Sequence, residues 1–486
     1  MDYSAILLVV CFMILVAYLV THSFSGRTPP GPIGLPIVGY IPYMTKKPYL
    51  DLMKLSKIYG SIFSIRLGAI NVIVLGDYES TKEAFSMDAF IGRPPDSPFD
   101  LNKETLETEA FNGLPWIHQR RFSLHMLRDL GFGKSRMEDH IIDEIQELLK
   151  CIEKEGTGPI AIRTFLAPSM SNNIGSLVFG RRRQFDDPIR KMLDYSIQEG
   201  SKAAGQATWQ IFFPWLRKIL LFLRIGNLDT VAKTQLEFRS YASKEIEEHE
   251  ATLNPNNIRD YIDGYLLEIK KRNDPAFCKP VLEDMIGAFF GAGSETVRIT
   301  TEWLLLVAAD MPHVRKKVQN EIDEVVGKDR VPTFADHVSM PYSMAVVMEL
   351  MRWRTIIPIN ILRYTIADAE LQGFFIPKHS YIIANLWEIH HNPAYWGADA
   401  EEFRPERFLS EDGTELLKSK YFIPFSIGKR SCPGEPMARV EVFLYFVSIL
   451  QKFHLSLPQG VKADYEGVLG IGLTPKSQNI CFRKRY

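Results

Sequence analysis

A helical pattern runs unbroken from about Leu282 to Asp310, and it constrains the fold of this chain more than any other feature. At 1.5 Å per residue it would reach roughly 40 Å, enough to cross a whole globular body, and Met311-Pro312 ends it. Inside lies Ala292-Gly293-Ser294-Glu295-Thr296, a poor place for glycine unless something has to come close. Thr296 can bond back to the carbonyl of Ala292 and loosen the helix, with the Glu295 carboxylate beside it. Taken alone, the segment reads equally well as a kink or an exposed turn.

A second stretch gives that helix a context. Phe425 to Gly434 reads F-S-I-G-K-R-S-C-P-G and presents one thiol, Cys432, in a loop bracketed by Gly428 and Gly434. Glycines let the backbone turn through positive φ and approach a neighbour closely, so such a loop can aim several N–H groups at the sulfur. Arg430, two residues earlier, brings a guanidinium fork that can reach a carboxylate on whatever the sulfur binds. The implied ligand is flat, anionic at its edge and metal-centred. The plain alternative is a small buried hydrophobe, the usual fate of an intracellular cysteine.

The other cysteines, at 11, 151, 278 and 481, show no C-x-x-C spacing, and the total of five is odd. This excludes a disulfide framework and fits a reducing compartment in which one thiol stays free. A net charge of −1 gives no general affinity for nucleic acid. With 46% hydrophobic and 24% charged residues and no internal repeat, the chain is an ordinary globular protein with a large core. No G-x-G-x-x-G opens a helix after a strand, so electrons for any redox chemistry come from a separate protein.

Tyr3 to Val20 is almost wholly apolar, close to the ~20 residues that span a bilayer. Ser23 and Ser25 before Gly26 offer a small-x-small cleavage site. The run nevertheless exceeds a signal-peptide core, and no Lys or Arg precedes it, which favours an uncleaved anchor. Arg27, Lys46 and Lys47 follow it, which leaves the body on the cytoplasmic side. Pro29, Pro30, Gly31, Pro32 and Pro36 predict a stiff, non-helical spacer holding the body off the membrane. The organisation expected is an anchor over 1–25, a hinge over 26–40 and one catalytic domain over 41–486.

Within that domain, Leu52, Leu55 and Ile58 predict a helix over Tyr49 to Tyr59 stopped by Gly60. Ser61 to Leu67 and Asn71 to Leu75 predict a hairpin, and Tyr381 to Leu386 belongs to a further small sheet. Elsewhere helices dominate. Arg259 to Asn273 reads as a solvated amphipathic helix. Trp116 and Arg120 share one face of a helix that Pro115 can begin. Glu349 and Arg352 form E-x-x-R on another helix, with Arg407 downstream in Pro405-Glu406-Arg407-Phe408.

Phe425, Gly428, Arg430, Cys432 and Gly434 match the haem-loop pattern F-x-x-G-x-R-x-C-x-G, and on these residues the sequence resembles the cytochrome P450 haem-thiolate monooxygenases, in their microsomal animal-type branch. The likeness extends through the proline hinge, W-x-x-x-R, A-G-x-E-T, E-x-x-R and P-E-R-F, over essentially the whole chain. It implies a mainly α fold with small β-sheets, a triangular single catalytic domain whose long central helix lies over haem b. It also implies that Cys432 ligates the iron, and a thiolate in that position favours O–O cleavage. Trp116, Arg120, Arg363, Arg430 and more weakly Arg93 would hold the haem edge, with Phe425 and Gly428 shaping the loop. Glu295 and Thr296 would guide protons, and Glu349, Arg352 and Arg407 would brace the loop.

The partners implied are NADPH–cytochrome P450 reductase, cytochrome b5, a lipophilic small molecule and the endoplasmic reticulum membrane. Arg121, Lys418, Lys420, Lys429 and Arg439 are the candidate docking cations, against a plain reading as solvated surface charge. By the same resemblance, Phe289, Ala292, Thr296, Ile357 to Leu362 and Ile471-Gly472-Leu473 would line an apolar substrate pocket. A haem-thiolate isomerase or dehydratase, and a non-enzymatic haem sensor, are the alternatives. Neither needs the Glu295–Thr296 pair.

Overall fold

The central helix runs Lys279–Asp310, three residues longer at its start than the periodicity predicts, with Pro280 in its first turn and Met311 closing it onto the carbonyl of Val307 at 2.8 Å. The computed structural model describes residues 27–94, 103–131, 135–223, 227–272 and 274–486. The apolar stretch over 3–20, and with it the predicted anchor, lies outside the described residues. Among them, no helix is long and apolar enough to cross a membrane.

Every residue of the central helix from Val297 to Ala309 is buried, as expected of a helix apolar nearly all round. The helices Arg163–Val178, Asn227–Thr252 and Glu435–Lys452 pack on it. Gly293 is where one of them comes close. A Cβ there would lie 2.9 Å from Cγ1 of Ile174, so this glycine lets the Arg163–Val178 helix approach.

Beside the helices lies a four-stranded sheet. Ile62–Leu67 pairs antiparallel with Ile70–Leu75 across Gly68-Ala69, and Gly68 has φ 57°. Tyr381–Ala384 then adds in parallel, Val72 opposite Tyr381, and Arg363–Tyr364 closes the sheet antiparallel to it. The predicted strand over Tyr381 to Leu386 stops at Ala384 because a helix begins at Leu386.

Three expectations change. The proline hinge is no free spacer from Pro29 onward. It lies along the outer strand, where Ser64 donates its Oγ to the carbonyl of Pro29 at 3.0 Å and its N–H to that of Pro30 at 2.7 Å. Proline has no N–H to give, so an edge position that needs only its carbonyl suits it. The helix Pro48–Tyr59 buries Tyr49, Leu52 and Leu55 but leaves Ile58 72% exposed. The helix Tyr261–Lys271 is buried from Tyr261 to Leu266, where solvent was expected. Its Tyr261 and Tyr265 enter an aromatic cluster with Phe122, Phe277 and Phe289, and their hydroxyls find Ser123 and Gln119, each at 2.9 Å.

A buried acid ties the Glu435–Lys452 helix to its neighbour. Glu441 accepts from Nδ2 of Asn173 at 2.8 Å, and burial pushes its pKa up to about 8. A carboxyl raised in the fold stabilises it fully below the unfolded value of about 4.3 and loses that contribution as pH rises through about 8. Glu441→Gln is therefore expected to flatten the decline of Tm between about pH 5 and 8. Scanning fluorimetry of both proteins across that window measures it, and parallel curves would refute the assignment.

Candidate functional site

The thiol loop departs from the glycine logic at one of its two ends. Gly428 has φ 77°, and a Cβ there would sit 2.1 Å from the carbonyl oxygen of Phe85, so only glycine fits. Gly434, by contrast, has φ −85° and serves through its N–H, which points at Sγ of Cys432 at 3.3 Å. The N–H of Cys432 itself donates to the carbonyl of Phe425 at 2.9 Å and closes the loop. The cysteine is reachable by solvent, yet burial pushes the thiol's pKa up, opposed by the Gly434 N–H and by Arg120. The helix Glu435–Lys452 starts directly after the loop, so its positive dipole end faces the sulfur.

Four arginines gather near this loop. Arg120, on the helix Gly113–Asp129 that starts two residues before Pro115, donates to the carbonyl of Ser431 at 2.7 Å. Arg430 reaches back to the carbonyls of Ile91, at 2.6 Å, and Phe111, and its guanidinium lies 3.8 Å from the ring centre of Trp116. Arg93 donates to the carbonyls of Ile361 and Leu362 at 2.7 and 2.5 Å. Arg363 is 1% exposed and lies over the Phe85 ring at 3.3 Å.

Among the described residues, none of the four forms an ion pair with a carboxylate. Burial pushes Arg430 down to about 7, with Arg93, Arg363 and Arg120 adding to it, and pushes Arg363 down to about 8, with Arg93 and Arg120 adding. A guanidinium holds its proton tightly, so such depression marks converging charges whose natural counterion is an anionic ligand. The Nε and Nη1 of Arg363 are buried and, among the described residues, without a hydrogen-bond partner. A free thiol beside a cluster of unpaired guanidiniums fits a metal macrocycle with carboxylates on its edge, and haem is that ligand.

On the central helix, Ala288 and Ala292 are exposed and Thr296 half-buried, four residues apart, so a reachable face of small side chains runs along an otherwise packed helix. Thr296 Oγ1 donates to the carbonyl of Ala292 at 2.9 Å, as the sequence suggests. Glu295 faces elsewhere. It accepts from Nε of Arg298 at 2.9 Å and shares a cleft with Asp194, Gln198 and Arg298. Arg298 also pairs with Glu302, which in turn binds Arg163 at 2.9 and 3.0 Å. Burial pushes Asp194 up to about 6. Sequence reasoning missed Arg298, although its spacing of three from Glu295 was the available signal. Phe289, expected in the pocket, packs against Tyr261 at 5.1 Å between ring centres.

Behind the loop, Glu349, Arg352 and Arg407 do meet. Glu349 accepts from Arg352 at 2.7 and 2.8 Å and from Arg407 at 3.0 Å, and both Glu349 and Arg352 are fully buried.

The family model described as Cytochrome P450 matches residues 29–482. The chain is 33% identical to Cytochrome P450 18a1 of Drosophila melanogaster, over 94% of this chain and 87% of that protein. It is 35% identical to Cytochrome P450 2U1 of Rattus norvegicus, over 95% and 91%. To Cytochrome P450 2J2 of Homo sapiens it is 34% identical, over 96% and 94%.

Proposed function

Because this chain belongs to the cytochrome P450 family, and is therefore a haem-thiolate monooxygenase, we propose that it inserts one atom of O2 into a lipophilic small molecule with electrons from a separate NADPH-dependent reductase. The observation that carries the assignment of the site is the convergence of Arg93, Arg120, Arg363 and Arg430 near one reachable thiol. Haem bound there supplies the reductive activation of O2 and the oxygen transfer.

The chain's own residues bind, orient and move protons. Cys432 is the ligand, and the N–H of Gly434 holds its sulfur. The four arginines and Trp116 hold the carboxylate edge, with Arg363 offering the two donors left unpaired. Thr296 presents its hydroxyl on the open face of the central helix, and Glu295, held by Arg298, is the neighbouring carboxylate assigned to the proton route. Ala288 and Ala292 leave room beside Thr296 for an apolar substrate.

Electrostatics narrows the reductase-facing surface. Lys420, Lys429 and Arg439 each pair with a carboxylate of this chain: Glu79 at 3.0 Å, Asp88 at 2.6 Å and Glu435 at 2.8 Å. Arg121 and Lys418 have no carboxylate partner among the described residues, so they are the cations best placed to meet an acidic partner, whether the reductase or cytochrome b5.

Exposed apolar residues support membrane contact. Ile219 and Phe222 on the helix Pro214–Leu223 are 47% and 86% exposed, and Ile37 is 68% exposed. Their neighbours Val38, Tyr40, Phe213 and Leu216 belong to one apolar cluster, which ties both segments to the same part of the body. An endoplasmic reticulum location with the body in the cytoplasm agrees with these exposed apolar side chains.

The test is an untargeted product screen with reconstituted reductase, NADPH and cell lipid extract. At least one lipid is expected to gain a single oxygen atom, labelled when 18O2 is supplied. NADPH consumption with no oxygenated product from any lipophilic panel would sink the substrate reading.

A further inference from the structure

Grouped by sequence with the docking cations, Arg439 has two partners within its own chain. Its Nε and Nη2 donate to one oxygen of Glu435 at 2.9 and 2.8 Å, and its guanidinium lies 5.5 Å from the ring centre of Phe425. Glu435 is the first residue of the helix that follows the thiol loop. Phe425 stands at the other end of that loop, and its carbonyl accepts the N–H of Cys432 at 2.9 Å. One guanidinium thus touches both ends of the segment that carries the sulfur.

Glu435 follows directly on Gly434, whose N–H points at the sulfur at 3.3 Å, so its carboxylate places a negative charge near that sulfur. A negative charge near a metal centre disfavours adding an electron to it, and an ion pair removes most of that effect. The pair is half-exposed, so the effect falls with salt.

We propose that Arg439 is a positioning residue for the thiol loop: by pairing with Glu435 and lying over Phe425 it fixes both ends of the loop and offsets the carboxylate charge near Cys432, so the haem is easier to reduce. This rests on Cys432 being the haem ligand.

The test is an equilibrium redox titration of the purified holoprotein at low ionic strength, with dithionite as electron donor and dye mediators. No reductase is present, so docking does not enter. Arg439→Met is expected to lower the ferrous-to-ferric ratio at fixed potential about threefold to tenfold, a tenfold change being about 59 mV for one electron. Glu435→Gln is expected to move the midpoint the opposite way. The double variant should return close to wild type, and Arg439→Lys should restore most of the shift. Equal midpoints in all variants would overturn the proposal, as would two single variants that shift in the same direction, which mere loosening of the helix would produce. A wild-type protein lacking a thiolate-type carbon monoxide spectrum would overturn the ligand reading and this proposal together; a normal spectrum with unmoved midpoints overturns the proposal alone.

Discussion

Cys432→Ser is expected to abolish the thiolate-type spectrum of the reduced, carbon monoxide-treated protein and to reduce product formation by more than about 100-fold, beyond what loss of a supporting contact does. Serine is nearly the same size, but its hydroxyl is a hard oxygen that stays protonated at neutral pH, whereas the thiolate is soft and charged. The fold should survive the change. The contacts that shape the loop are made by main chain: the residue-432 N–H to the carbonyl of Phe425, and Arg120 to the carbonyl of Ser431. Gly428 keeps its close contact with Phe85 whatever occupies position 432. Circular dichroism should therefore match wild type while the spectrum changes. Should the serine variant keep the thiolate-type band, Cys432 is not the ligand.

How much of this site the sequence carries depends on whether the determining contacts are local. The back-bond from Thr296 to Ala292 follows from helical spacing alone. The positive φ of Gly428 follows from what glycine permits, although its cause, the carbonyl of Phe85 more than 340 positions earlier, does not. At Gly434 the same argument misled, because a helix start needs no left-handed residue and the useful group is the N–H. The engagement of Glu295 by Arg298 was legible three residues away but was masked by the interest of the neighbouring Thr296.

Long-range pairing was harder to read. The parallel strand Tyr381–Ala384 joins a hairpin some 300 residues earlier, and nothing in its own residues names that partner. Burial of the Tyr261–Lys271 helix was hidden because tyrosine counts as polar in a solvated face, while here its ring packs and its hydroxyl is satisfied inside. The arginine cluster was recognised residue by residue through family likeness. Its electrostatic cost, with Arg430 pushed down to about 7 by burial and three neighbouring guanidiniums, exists only once the chain brings positions 93, 120, 363 and 430 together.

Glu349→Ala is expected to have the largest effect on the fold, about 3 to 5 kcal/mol, against a total stability of order 5 to 15 kcal/mol for a domain. The carboxylate accepts from Arg352, Arg407 and the main-chain N–H of Arg404, and its loss leaves the buried Arg352 guanidinium without a counter-charge and Arg407 with only the longer contact to Asp399 at 3.4 Å. Replacing all three members by apolar residues would rescue an isolated ion cluster, but this one has a second task. Arg352 also donates to the carbonyls of His390 and Ala400 at 2.6 and 2.8 Å, and Arg407 to that of Trp396 at 2.9 Å. An apolar triple variant leaves those carbonyls unpaired and so is expected to stay destabilised. The link to the thiol runs through His390, whose Nε2 accepts the N–H of Ile423 at 3.1 Å, two residues before Phe425. Loss of the cluster should therefore lower haem content as well as the denaturation midpoint. A Glu349→Ala protein with wild-type haem-to-protein ratio and an unchanged urea midpoint would show that the cluster does not support the loop.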